Sequence, residues 1–148
     1  MGTFTATKAK AGAQARFVSA GMNTAYSEYT ATATLSAGDV IQMVKVPKGA
    51  IVHNLVVTTN VLQAGSTGSA AILLVGDGVD TNRYFDEVSA SGVAVIKSGL
   101  EIAANHGYEY TAADTIDITF ADASGSSVAT AAAVFRMSAM YSVDDGSL

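Results

Sequence analysis

The stretch "LSAGDVIQMVKVPKGAIVHNLVV", residues 35–57, holds two apolar, β-branched runs on either side of the chain's only proline. "DVIQMVKV" is short and apolar on both faces, and Pro47 cannot donate a ladder hydrogen bond, so a strand must end there or lie at an edge. Pro47 fixes its own φ and Gly49 tolerates positive φ, which lets "PKG" reverse the chain into "AIVHNLVVTTNV". On a regular strand Ile51, Leu55 and Val57 share one face with His53. The stretch therefore predicts two neighbouring strands joined by a Pro-Lys-Gly turn, each showing apolar residues on both faces.

Outward from this pair the pattern stays extended. "YSEYTATATL" before it alternates in the period of a half-buried strand, and "SAGD" makes the intervening turn. After it come a loop, "LQAGSTGS", and "AAILLVGD", an apolar run of strand length that glycine ends. "GDGVDTNRYFD" is rich in turn formers, "GVAVIKS" is a further short strand, and "YEYT" is extended between two loops. In "TIDITF" alternation sends Ile116, Ile118 and Phe120 inward and Thr115, Asp117 and Thr119 outward. The last strand, "AAAVFRMSAMYSV", puts Phe135, Met137, Ala139 and Tyr141 on one face and Arg136 and Ser138 on the other. About eight short strands with turns between them, and no strand–helix alternation, predict an all-β fold: a β-sandwich, jelly-roll-like.

The 148 residues suit one domain, and 49% apolar against 14% charged residues supply a core. With no cysteine there is no disulfide and no thiolate metal site. No window nears the roughly 20 apolar residues of a membrane span, and the start lacks the apolar segment of a signal peptide, so neither membrane nor export is expected. "MGTFTA" departs from the myristoylation pattern at Ala6.

Charge is uneven: Lys8, Lys10 and Arg16 give residues 1–25 a charge of +3, which leaves −8 for the rest of a chain whose net charge is −5. The expected division is a basic, extended arm over residues 1–25, a sandwich over 26–143 and an acidic tail over 144–148. Such an arm suits an acidic surface, whereas the acidic body gives no electrostatic reason to bind nucleic acid.

Catalytic patterns are thin. The two histidines, His53 and His106, cannot make the histidine cluster of a cupin-type metal site. Neither "GSTGS" nor "SGSS" forms a G-x-S-x-G elbow, and Asp77, Asp80 and Asn82 lack the order and closing glutamate of a calcium loop. "GDG" has no lysine with which to hold a phosphate. Glu28, Glu87, Glu101 and Glu109 offer carboxylate pairs only as any acidic domain does. No catalytic residue, metal or cofactor is expected.

"AGDVIQMVKVPKGAIVHNLVV" followed by "AAILLVGDGVDTNRYF" resembles a recurrent kind of small tailed-phage virion protein. Its spine of turns falls here on Gly38, Asp39, Pro47, Gly49, Ala50, Gly76, Asp77 and Gly78. The resemblance runs from Ala37 to Phe85. It implies a head decoration, or cement, protein: a homotrimeric β-sandwich on the outside of the capsid, with the major capsid protein as partner and the virion as location. Phe4, Lys8, Lys10, Arg16 and Phe17 of the arm are the expected partner contacts. Trimerisation would cover the second apolar face of the 35–57 strands. A carbohydrate-binding or adhesin module is the alternative, with Tyr108 and Tyr110 as its sugar-facing rings.

Overall fold

Pro47, Lys48 and Gly49 carry the chain from one sheet to another. This corrects the expected adjacent pair: the two strands of residues 35–57 belong to opposite layers. The computed structural model describes residues 1–6, 21–60, 72–89, 95–102, 105–121, 127–129 and 131–143. Among them are eleven strands, more than the eight expected, and no α-helix. They are β1 (Thr3–Thr5), β2 (Asn23–Thr30), β3 (Leu35–Ser36), β4 (Val40–Val46), β5 (Ala50–Thr59), β6 (Ile72–Gly76), β7 (Phe85–Ser89), β8 (Val95–Gly99), β9 (Asp114–Ala121), β10 (Ser127–Ala129) and β11 (Val134–Val143).

One sheet has the order β1-β4-β9-β6-β7, a second the order β2-β11-β5-β8, and β10 pairs with β3. Every pairing is antiparallel except β1 on β4, where Thr3, Phe4 and Thr5 lie beside Val40, Ile41 and Gln42. The two large sheets enclose one core, so the all-β sandwich holds. Across it the rings of Phe120 from β9 and Phe135 from β11 meet edge to face, 5.4 Å between centroids.

The second apolar face does not survive folding. In β4 the residues Ile41, Met43, Val44 and Val46 are all buried, although Ile41 and Met43 have the opposite parity to Val44 and Val46. The register against β9 shifts between Gln42 and Val44, a bulge that rotates the strand so both apolar sets enter the core. The same happens in β5, where Ala50 and Val52 are buried and then Leu55, Val57 and Thr59. There the register shifts opposite Met140 and Tyr141. As a result His53 is exposed and Ile51 is half-buried on the outer face, apart from Leu55 and Val57, which they were expected to join. The apolar excess is core, displaced by bulges.

β11 alternates as expected, with Phe135, Met137, Ala139 and Tyr141 buried. β9 departs from expectation at one residue: Ile116, Ile118 and Phe120 are buried, but so is Asp117. β1, and β2 as far as Ala25, fall within the segment read as an arm. Lys8, Lys10, Arg16 and Phe17, the loop 62–69 and the tail 144–148 lie outside the described residues.

Candidate functional site

The turns quoted from the sequence are the ends of the sandwich, and their side chains are engaged within the chain. Asp39 is buried after the β3 strand, and its carboxylate accepts from the Ser36 amide at 3.0 Å and the Gly2 amide at 2.6 Å. The Gly38 amide donates to the Phe120 carbonyl, and the Val40 amide to the Gly2 carbonyl. "AGD" thus ties the start of the chain to the β3–β4 turn. The β1 that follows places Phe4 half-buried, its ring 6.1 Å from that of Tyr29. The ring expected to contact a partner packs on its own chain.

At the opposite turn Gly49 takes φ 79°, a left-handed conformation that glycine adopts at no steric cost. Its amide donates to the Tyr110 carbonyl at 2.7 Å, and the Tyr110 amide returns a bond to Ala50. The segment around Tyr110 is therefore pinned to the crossing between sheets.

Tyr110 also joins the main buried polar cluster. Asp77 follows β6 and accepts from the amides of Val79 at 3.0 Å and Asp80 at 2.9 Å, an Asx-type turn. Arg83 closes on the same carboxylate as a buried ion pair and lays its guanidinium 3.5 Å from the centre of the Tyr108 ring. Tyr108 meets Tyr110 edge to face, and the Tyr110 hydroxyl lies 2.8 Å from that of Tyr84. The Asn105 amide group donates to the Arg83 carbonyl.

Burial pushes the Asp77 carboxyl up, but hydrogen bonds from Arg83, Asp80 and Val79 outweigh it and hold the group below its usual range. Burial likewise raises Tyr84 and Tyr110, which stay protonated. Gly76 belongs to this turn by close approach, since a Cβ there would stand 1.9 Å from the Asp80 carbonyl oxygen. Gly78 meets no such neighbour and has no positive φ.

This arrangement fastens loops. Asp77 is spent on Arg83 and two amides, and Asp80 reaches Arg83 at 3.8 Å, so the carboxylates of "GDGVD" do not converge on an open cation position. Tyr110 is buried and Tyr108 lies under Arg83, so the two rings present no flat platform for a sugar. His53 is exposed with Nε2 2.7 Å from the Ser142 hydroxyl, and His106 is exposed with Nε2 3.1 Å from the Leu100 carbonyl, on different elements.

The surface that remains is the outer face of the four-stranded sheet. Tyr26, Glu28, Arg136, Met140 and His53 project from it, and Glu28 bonds both the Arg136 guanidinium at 2.7 Å and the Tyr26 hydroxyl at 3.3 Å. Met22 and Tyr26 are half exposed. Tyrosine, methionine and arginine are residues enriched at protein interfaces. Sequence reading passed over this face because the residues are spread over three strands and meet only through the registers of β11.

No family model matches the chain, and no curated protein matches it either. Solved structures do. A chain in the structure described as "Capsid of Ralstonia phage GP4" superimposes with a TM-score of 0.66 at 16% identity, over 84% of this chain and 85% of that one. A chain in "Cyanophage Pam1 capsid asymmetric unit" gives a TM-score of 0.60 at 23% identity, over 92% of this chain and 99% of that one. At such identities the likeness is one of fold, and it extends over most of both chains.

Proposed function

We propose that this chain is a structural protein of a tailed-phage virion, a decoration protein that binds the outside of the head and stabilises it without catalysis. The observation that carries the reading is the likeness of fold, over most of the chain, to chains from two phage capsid structures. The "AGD", "PKG" and "VGDG" turns support it, because Asp39, Gly49 and Asp77 each hold a sandwich end in place. A cement protein needs a rigid body with complementary area rather than reacting groups. The buried Asp77–Arg83–Tyr108 cluster serves rigidity.

The partner in this reading is the major capsid protein, and Lys8, Lys10 and Arg16 are the arm's contribution to its acidic outer surface. The homotrimer keeps only the family resemblance as support, since the apolar face it was expected to cover lies in the core. The adhesin alternative loses its platform with Tyr110 buried.

Heads assembled without the chain test the reading. Purified protein should co-sediment with them and raise the temperature at which they release DNA, and charge reversal at Lys8, Lys10 and Arg16 should weaken the association at low salt. Protein that stays in the supernatant at every salt concentration overturns it.

A further inference from the structure

We propose that, in a chain translated from Met1, the first peptide bond is hydrolysed and the α-ammonium left on Gly2 becomes the counter-charge of the buried Asp39 carboxylate. Water adds across the Met1–Gly2 bond, methionine leaves with the new carboxylate, and Gly2 keeps its nitrogen, now protonated. The agent is a methionine aminopeptidase, a class of enzyme that cleaves where the second residue is small. This is independent of the virion reading.

Asp39 is where the chain needs a cation. It is 8% exposed, and its two oxygens accept main-chain N–H groups, Ser36 on Oδ2 at 3.0 Å and Gly2 on Oδ1 at 2.6 Å. Among the described residues no basic side chain pairs with it, for the ion pairs there are made by Asp77, Asp80, Glu101 and Glu28. A carboxylate so far from water is rarely left without a positive partner.

The Gly2 nitrogen already stands in that place. While Met1 is attached it is a neutral amide, and the positive charge of the α-amino group sits one residue away on Met1, which is fully exposed. Removing Met1 therefore costs no packing and moves the charge onto the nitrogen that touches Asp39 Oδ1. A neutral contact becomes a charge-assisted one, roughly twice as strong. The Val40 amide donates to the Gly2 carbonyl at 2.9 Å and holds the residue from its other side.

Two demands meet on this residue. The aminopeptidase requires a small side chain, and the fold favours none at all: a Cβ on Gly2 would stand 3.2 Å from Asp39 Oδ1 and 3.4 Å from the Phe4 ring. Alanine or serine would satisfy the enzyme and crowd the carboxylate. Glycine satisfies both. The product is a clasp, in which Gly2 grips the β3–β4 turn with ammonium and carbonyl, the Ala6 amide donates to Gln42 at the far end, and β1 lies between them along β4.

Intact-mass spectrometry of the full chain, expressed from Met1 in bacteria, should show one methionine residue missing from nearly all molecules. The control carries a glutamine inserted between Met1 and Gly2, too long a side chain for the enzyme, so that Met1 stays and Gly2 remains an amide. Hydrogen exchange at the Val40 and Ala6 amides reports the opening of β1, and it should be about five- to tenfold slower in the processed chain than in the control. Asp39→Asn should remove that difference, the processed and blocked forms of the variant then exchanging at one rate. Should the variant not fold, the comparison of the two chains that keep Asp39 decides alone. Met1 retained on most molecules overturns the proposal, and so does equal exchange in the processed and blocked chains.

Discussion

Asp117 decides how this protein responds to acid. The register places it on β9 between Gln42 of β4 and Gly76 of β6, where it is buried. One carboxylate oxygen has no hydrogen-bond partner among the described residues. Burial pushes its pKa up to about 7 from an ordinary 3.8, Thr115 opposes with a hydrogen bond, and Asp114 and Asp77 add repulsion. The folded state thus holds a proton that the unfolded state releases. Stability should rise as pH falls through about 7 and level off near the ordinary carboxylate range, a gain of about 2–4 kcal/mol. Further acidification removes stability, since Asp77 is held low by Arg83 and then gains a proton it cannot use. Thermal unfolding of Asp117→Asn between pH 4 and 9 should flatten the rise and exceed the wild type at alkaline pH. A variant with the wild-type slope would show that another group carries it.

The glycines of "VGDG" separate at the same scale. Gly76→Ala drives a Cβ against the Asp80 carbonyl and should cost about 3 kcal/mol, while Gly78→Ala, with open space around it, should stay within about 0.5 kcal/mol. Chemical denaturation reads both, and equal losses would contradict the crowding at Gly76.

At the scale of elements, bulges turn a two-faced sequence into a one-sided strand. Met43 and Val44 are adjacent in β4 and both fully buried. A regular strand would bury one and expose the other. Met43→Ala should therefore cost about 2–5 kcal/mol, and Val44→Asp should prevent folding, while Gln42→Thr and Lys45→Thr on the same strand should change little. Circular dichroism and denaturant midpoints separate these outcomes; tolerance of Val44→Asp would restore the open second face. Much of the element list was legible in the sequence, because alternation in "TIDITF" and "AAAVFRMSAMYSV" follows directly from strand geometry. Parity in "DVIQMVKV" and "AIVHNLVV" was not, for a bulge is set by the partner strand. The same blindness hid the crossing at Pro47, where a turn within one sheet and a turn between sheets have the same sequence signature. β1 escaped because three residues carry no period. The polar cluster was half legible: "GDGVDTNRY" announces a turn, but Tyr108 and Tyr110 reach it only by folding.

At the scale of the molecule, how edges are closed governs how copies can meet. The five-stranded sheet is capped beside Val40–Gln42 by β1, which Gly2, Asp39 and Ala6 fasten through three bonds: Gly2 amide to Asp39, Val40 amide to Gly2, Ala6 amide to Gln42. Among the described residues the outermost strands are β1 and β7 in one sheet and β2 and β8 in the other. A long uncovered edge is a template for pairing with another copy, which a short outermost strand such as the three-residue β1 avoids. Removing residues 1–6 would make the seven-residue β4 an outermost strand in place of β1 and take away Ala6, which is fully buried and bonded to Gln42. The loss of these three bonds, together with the β1–β4 ladder, should lower stability by at least about 2–4 kcal/mol. Light scattering should then show mass growing with concentration, where the full chain holds a constant mass. A truncated chain with the wild-type melting temperature and a fixed mass would mean that β1 is dispensable and that the edge it covers is closed by other means.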